Sequence, residues 1–318
     1  MSGCSRSEKH FEDTRLILGT VVTIKAFGPE AKIAVTSGFS KMEELEQVFD
    51  QHAENTEITK LNAYSRGIDK KTSGPIKISK DLLEVINIGL KYSDKTKGKY
   101  DITIGPLVDL WKTKEKTKIL PMQKEIDEIK NFVDYKKLKL NVEQGTIKME
   151  QGMVIDLGSI SKGYIVDQAM EEIKGYNING AIIDAGGGVL TLGANLKGKW
   201  KVGIINPQKV DSLLGYLIFD GNRAVVSSGN YQQYYLINEQ KYGHILNLDS
   251  GWPANEVLSV SVFGTISVMA DVLSTAVFVV GVKDGLQLIK EANYEGLIVD
   301  RLGELHMTKG FKQYFEEI

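Results

Sequence analysis

The second half of this chain is divided into short apolar and β-branched runs separated by Gly, Asn and Pro, and that punctuation limits the possible folds more than any other feature. Residues 181–184, 199–205, 213–219, 224–227, 234–238, 242–248 and 257–263 each read as a strand. Runs this closely spaced leave no room for helices between them, so they predict antiparallel sheet rather than repeated βαβ units. Two helices, over 267–280 and 284–292, follow and are expected to pack on that sheet. The first half reads differently. Residues 16–27 fit a strand and 31–51 a helix, and 79–92 fits a second helix with Leu82, Val85, Ile86 and Leu90 on one face and Ser79 as its cap. Residues 136–151 alternate in period two about Glu143-Gln144-Gly145, a hairpin signal; 153–157 reads as a short buried strand and 159–173 as a helix. The expected fold class is α+β: antiparallel sheets flanked by helices, forming one compact body of two lobes with a cleft between them.

With 318 residues, 42% hydrophobic and 25% charged, the chain has material for a sizeable core. A net charge of -2 provides no basic field for nucleic acid, and no run approaches the roughly 18 apolar residues of a membrane span. The Lys-rich stretch 112–118 is interrupted by Glu115 and reads as a solvated loop. The single cysteine, Cys4, excludes an intrachain disulfide. Ser2-Gly3-Cys4 looks like the end of a bacterial lipoprotein signal, in which small residues precede a cysteine that becomes lipidated; a chance cysteine in a disordered tail is the alternative. On that reading the hydrophobic part of the signal has been removed and Met1 added, and residues 1–13 form a tether to a single two-lobed domain over 14–318. The expected location is extracytoplasmic, at a bacterial cell membrane, through the lipid alone.

Three segments carry chemistry. Asp271 and Thr275, four residues apart near a helix start, place a carboxylate and a hydroxyl on one face, a pair suited to a hard cation such as Mg²⁺. The same spacing also serves a helix without any metal, since Asp complements the dipole and Thr can bond back to the chain. Asp156-Leu-Gly-Ser-Ile-Ser-Lys162 places Lys162 on the first turn of a helix, where free amides and an ammonium favour an anion; a simple strand-to-helix turn is the alternative. His244 stands near the mouth of a strand, and a neutral imidazole there can take a proton from a hydroxyl, although a lone histidine is more often a surface or core residue. Other chemistries lack support. The chain has no GxSxG, HExxH or Cys/His cluster, and Asp184-Ala-Gly-Gly-Gly188 is neither the GxGxxG fingerprint nor followed by a βαβ unit.

In order along the chain, from about Thr14 to Phe315, these segments resemble the FAD:protein FMN transferase family, the ApbE flavin transferases. The series comprises Leu18-Gly-Thr20, Thr56-Glu-Ile with Leu61-Asn62, Gly98-Lys-Tyr-Asp-Ile-Thr-Ile-Gly-Pro-Leu-Val108 with Trp111, the segment from Asp156 to Asp167, Gly186-Gly187, Trp200 to Pro207, Ser227-Ser-Gly-Asn-Tyr231, His244, and Ala270-Asp271 through Thr275. The resemblance implies an enzyme that binds FAD with Mg²⁺, transfers FMN to a Thr or Ser hydroxyl of an acceptor flavoprotein in an extracytoplasmic electron-transfer chain, and releases AMP. It implies Asp271, Thr275 and the Ser159 carbonyl as metal ligands. Flavin and nucleotide contacts would fall on Leu18, His52, Lys99, Tyr100, Asp101, Asp156, Lys162 and Ile245, and catalysis on His244, Lys162 and Asp271.

The chain departs from the family pattern in places. After His244 the usual Asp-Pro, basic residue, Thr and Gly become Asn247-Leu-Asp-Ser-Gly251, keeping the glycine turn without the basic residue. Leu18 replaces Met, His52 stands where Tyr is common, and Asp184 and Gly188 replace Asn and Asp. Two other functions use the same residues: hydrolysis of FAD to FMN and AMP with water as acceptor, and flavin binding by a non-catalytic lipoprotein.

Overall fold

The computed structural model describes residues 10–67, 74–196, 198–231 and 233–318. The chain opens with β1 (His10–Ile17) and β2 (Thr20–Phe27), followed by α1 (Ala31–Phe49), α2 (Glu57–Ser65), β3 (Ile76–Lys77), α3 (Lys80–Lys95), α4 (Gly105–Thr117), α5 (Gln123–Lys130), β4 (Lys139–Asn141), β5 (Thr146–Lys148) and α6 (Ser161–Lys174). Then come β6 (Gly180–Ala185), β7 (Gly188–Gly193), β8 (Trp200–Ile205), β9 (Leu213–Phe219), β10 (Ala224–Gly229), β11 (Tyr234–Ile237), β12 (Gln240–Gly243) and β13 (Val257–Gly264). The remainder is α7 (Ser267–Val280), α8 (Val282–Glu291), β14 (Glu295–Asp300), β15 (Leu305–Met307), α9 (Lys309–Tyr314) and β16 (Phe315–Glu317).

An eight-stranded sheet, ordered β1-β2-β6-β7-β10-β13-β14-β15, organises the molecule, and every neighbouring pair in it is antiparallel. Side chains of a strand alternate between faces, and here each face has its own core. Val226, Val260, Val262 and Ile298 point into the larger one with α1, α6 and α7. Val225, Phe263, Leu297 and Val299 point into the other, where Trp200, Leu217 and Phe219 of the three-stranded sheet β16-β9-β8 cover them. The central strands are therefore apolar on both sides, which is why their sequences lack a clean polar alternation. A third cluster, built on Leu107, Trp111, Ile126, Tyr235, Ile237 and Leu246, joins α4 and α5 to the β11–β12 hairpin. The α+β class read from the sequence is the class observed.

Several expected elements differ in detail. Residues 16–27 form a hairpin instead of one strand, because Leu18 and Gly19 take positive φ angles of 57° and 66° and reverse the chain. Its first strand starts at His10, so the last four residues of the expected tether belong to the sheet; residues 1–9, including Cys4, lie outside the described residues. The Lys-rich segment is helical in α4 through Thr117, with Lys118 as its left-handed C-cap, and is not a loop. Trp111 faces the core there, Lys114 pairs with Glu125 of α5 at 2.6 Å, and Lys112 and Glu115 border the cavity described below. Residues 153–157 contribute one isolated parallel bridge, Val154 to Ile104. The cap at Ser79 is as expected, its hydroxyl accepting the Leu82 N–H at 3.2 Å. Among the described residues no helix is long and apolar enough to cross a membrane.

Candidate active site

The site is built around the starts of α6 and α7. α6 begins after a turn in which the Asp156 carboxylate accepts the Gly158 N–H at 2.9 Å and the Gln51 side-chain amide at 3.3 Å. Gly163 sits on the first turn of α6, a position where glycine weakens a helix by roughly 0.5–1 kcal/mol relative to alanine. Here it is required. A Cβ at residue 163 would lie 2.6 Å from the Ser267 carbonyl oxygen and 2.7 Å from both the Asp271 Cβ and the Val268 Cα. The two helices approach to backbone contact at this point, and the Gly163 N–H donates to Asp271 Oδ2 at 2.8 Å.

Asp271 is buried, and burial pushes its carboxyl above the ordinary range against the opposing pull of Lys162 and the Gly163 N–H. Its other oxygen has no hydrogen-bond donor among the described residues. Thr275 follows one turn later, and its hydroxyl lies 3.2 Å from that of Ser228, which in turn contacts Ser274 at 2.7 Å. On the α6 side the Ser159 hydroxyl is joined to the buried Tyr100 hydroxyl at 2.9 Å. Lys162 makes no hydrogen bond or ion pair among the described residues. An ammonium at a helix N-terminus that acts on Asp271 only through space, without a hydrogen bond, suits an anion.

His244 stands at the end of β12, its ring Nδ1 2.9 Å from the Gln233 carbonyl oxygen. A carbonyl only accepts, so in the neutral ring Nδ1 carries the proton and Nε2 is left as the basic atom. Burial lowers the imidazole pKa, with the Lys162 charge acting in the same sense and the Gln233 bond and Asp156 opposing.

These elements border a cavity of about 1010 Å³, at the upper limit of the roughly 300–1,000 Å³ usual for small-molecule sites. All twelve residues singled out from the sequence inside the described region line it: Leu18, His52, Lys99, Tyr100, Asp101, Asp156, Ser159, Lys162, His244, Ile245, Asp271 and Thr275. Their availability differs. Leu18 is held by its backbone N–H, which donates to Glu46 Oε1 at 2.6 Å in the hairpin turn. Asp101 uses both carboxylate oxygens internally, on the Thr103 N–H and hydroxyl and on the Tyr135 N–H, each at 2.8 Å. His52 lies at the exposed rim. Glycines complete the wall: Gly186, at φ +52°, comes so close to Thr20 that a Cβ would meet its hydroxyl at 2.2 Å.

The donor set of Asp271, Thr275 and the Ser159 carbonyl is all oxygen, with one carboxylate oxygen that takes no protein donor, and this fits a hard divalent cation. The sequence assigns no role to Asp167 and Ser228, which fall within the quoted segments, or to Gln233 and Glu46, yet all four hold lining residues in place. One signal was available: a glycine inside a helix start that otherwise favours helix marks a close approach.

Comparison with known proteins places this geometry in context. The ApbE family model matches residues 18–301. A protein of Haemophilus influenzae called FAD:protein FMN transferase is 28% identical over 97% of this chain and 92% of its own length. One of the same description from Treponema pallidum is 26% identical over 89% of the chain and 82% of its own. The crystal structure of the ApbE protein of Thermotoga maritima superimposes with a TM-score of 0.86 at 25% identity, covering 97% of this chain and all of that one.

Proposed function

This chain belongs to the ApbE family, and we propose that it transfers FMN from FAD to a Thr or Ser hydroxyl of an acceptor flavoprotein, releasing AMP. The observation that supports the reading is that His244, Lys162 and Asp271 border one cavity. The acceptor hydroxyl oxygen attacks the phosphorus on the FMN side of the diphosphate. A new P–O bond forms to the acceptor, the P–O bond to the AMP phosphate breaks, and AMP departs with that electron pair. His244 Nε2 takes the hydroxyl proton as the oxygen attacks. Lys162 and the α6 N-terminus stabilise negative charge on the diphosphate oxygens.

The cation of this reading is Mg²⁺, held by Asp271, Thr275 and the Ser159 carbonyl; when bound it offsets diphosphate charge and that of the departing AMP. Leu18, His52, Lys99, Tyr100, Asp101, Asp156 and Ile245 form the flavin and nucleotide walls. Residues 10–318, with the four sheet residues that the sequence assigns to the tether, act as one two-lobed unit. Cys4 carries a lipid anchor, and the acceptor belongs to an extracytoplasmic electron-transfer chain; the support for both is Ser2-Gly3-Cys4 together with the family.

Incubation with FAD, Mg²⁺ and an acceptor should give a fluorescent acceptor band that survives denaturing electrophoresis. Rapid Mg²⁺-dependent AMP release without acceptor, and no covalent band with a competent one, would instead make the protein a hydrolase. Tight FAD binding with neither product would make it a carrier.

A further inference from the structure

Asp167 lies on α6, more than one turn beyond the lysine that faces the cavity, and plays no part in the chemistry above. Its two carboxylate oxygens accept the first two amides of α7: Oδ1 takes the Ser267 N–H at 2.8 Å and Oδ2 the Val268 N–H at 2.7 Å. The helix has no side-chain cap of its own, since its N-cap residue is Ile266. A carboxylate at a helix start satisfies orphan donors and complements the dipole. This one comes from a different helix.

One turn back along α6, the Gly163 N–H holds Asp271 Oδ2 at 2.8 Å. The two helices are thus joined by a double clasp running in opposite directions. Asp167 of α6 grips the backbone of α7, and Asp271 of α7 grips the backbone of α6. The missing side chain at Gly163 lets them close to contact. The first part of the clasp fixes where α7 begins, and the second uses that placement to leave one Asp271 oxygen toward the cavity.

We propose that Asp167 is a positioning residue for the cation site: by clamping the start of α7 to α6 it sets the distance between the Asp271–Thr275 face and the Ser159 carbonyl. This rests on the metal-dependent reading of the site. Asp167 does not line the cavity, so its loss would displace ligands without removing any. The signature is weakened cation affinity that excess cation repairs.

The test uses the whole chain with Asp167→Asn, which keeps the shape but loses one acceptor and the charge. Mg²⁺ is titrated by calorimetry into FAD-saturated protein, FAD affinity is measured separately in EDTA, and FMN transfer is followed across Mg²⁺ concentrations. Expected are a tenfold or greater loss of Mg²⁺ affinity, FAD affinity in EDTA within twofold of wild type, and a transfer rate that returns to within twofold at high Mg²⁺. Mg²⁺ affinity within twofold of wild type in the folded variant overturns the proposal, as does a rate loss that Mg²⁺ does not repair. Should Asp167→Asn fail to fold, Asp167→Glu, which keeps the charge but displaces the clamp, is read by the same criteria. If wild type itself binds no Mg²⁺ with FAD, the functional reading fails instead.

Discussion

His244 presents its Nδ1 to the carbonyl oxygen of Gln233 at 2.9 Å, which turns the other ring nitrogen into the proton acceptor. Burial lowers the ring's pKa, so the neutral form persists to more acidic pH than for a free imidazole. Protonation removes the base. The acid limb of kcat/KM for FMN transfer is therefore expected below the ordinary histidine value of about 6.5, and the rate should be flat above it through neutrality. His244→Ala should lower kcat by about 10²–10⁴-fold with FAD affinity retained. A limb at or above the ordinary value, or one unchanged in the variant, would contradict the assignment.

Gly163→Ala tests the helix contact. The new Cβ meets backbone atoms at 2.6 and 2.7 Å, and backbone cannot rotate away as a side-chain end can. Overpacking of this kind typically costs about 1–3 kcal/mol, well beyond the helix propensity gained. Urea unfolding should show the loss at an unchanged m-value, and Mg²⁺ affinity should fall with it.

Asp271→Ala separates function from fold. Removing the carboxylate leaves the Gly163 N–H without its acceptor, a loss of about 1–3 kcal/mol, but also removes a charge that burial disfavours. The two effects oppose each other. The midpoint of thermal unfolding should therefore move little, while Mg²⁺-dependent AMP release and FMN transfer both disappear. Substantial turnover in the variant would remove Asp271 from the cation site.

Trp111→Ala probes the third core. The side chain is fully buried, donates its indole N–H to the Gly251 carbonyl at 3.0 Å, and stacks on Tyr235 with centroids 5.5 Å apart. Truncations of this size cost about 3–5 kcal/mol. Because Tyr235 and Leu246 also line the cavity, weaker FAD binding should accompany the loss, measurable by flavin fluorescence titration under conditions where the variant remains folded.

What could be read from the sequence was local. The Asp271–Thr275 spacing, the helix start at Lys162, the capped helix after Ser79 and the strand-rich second half depend on neighbours within a turn or on period-two alternation. Relations across the chain could not be read this way. Nothing near Asp167 shows that its carboxylate serves amides 100 and 101 residues away. The Leu18 turn was hidden because leucine rarely takes positive φ, leaving Gly19 as a lone sign of reversal. In 112–118 the lysines drew attention from the helix, whose buried side is marked chiefly by Leu107 and Trp111 before the charged run.

The α6–α7 clasp joins residues separated by 100 to 108 positions, and β6 through β13 all lie in between. Contacts of such separation must overcome loop-closure entropy before they contribute, and they form late when a chain folds. A chain still emerging from the ribosome has its Lys162 turn long before Asp271 exists to meet it. Lys162 and Asp271 therefore come together only once the strands between them have paired and α7 has reached α6.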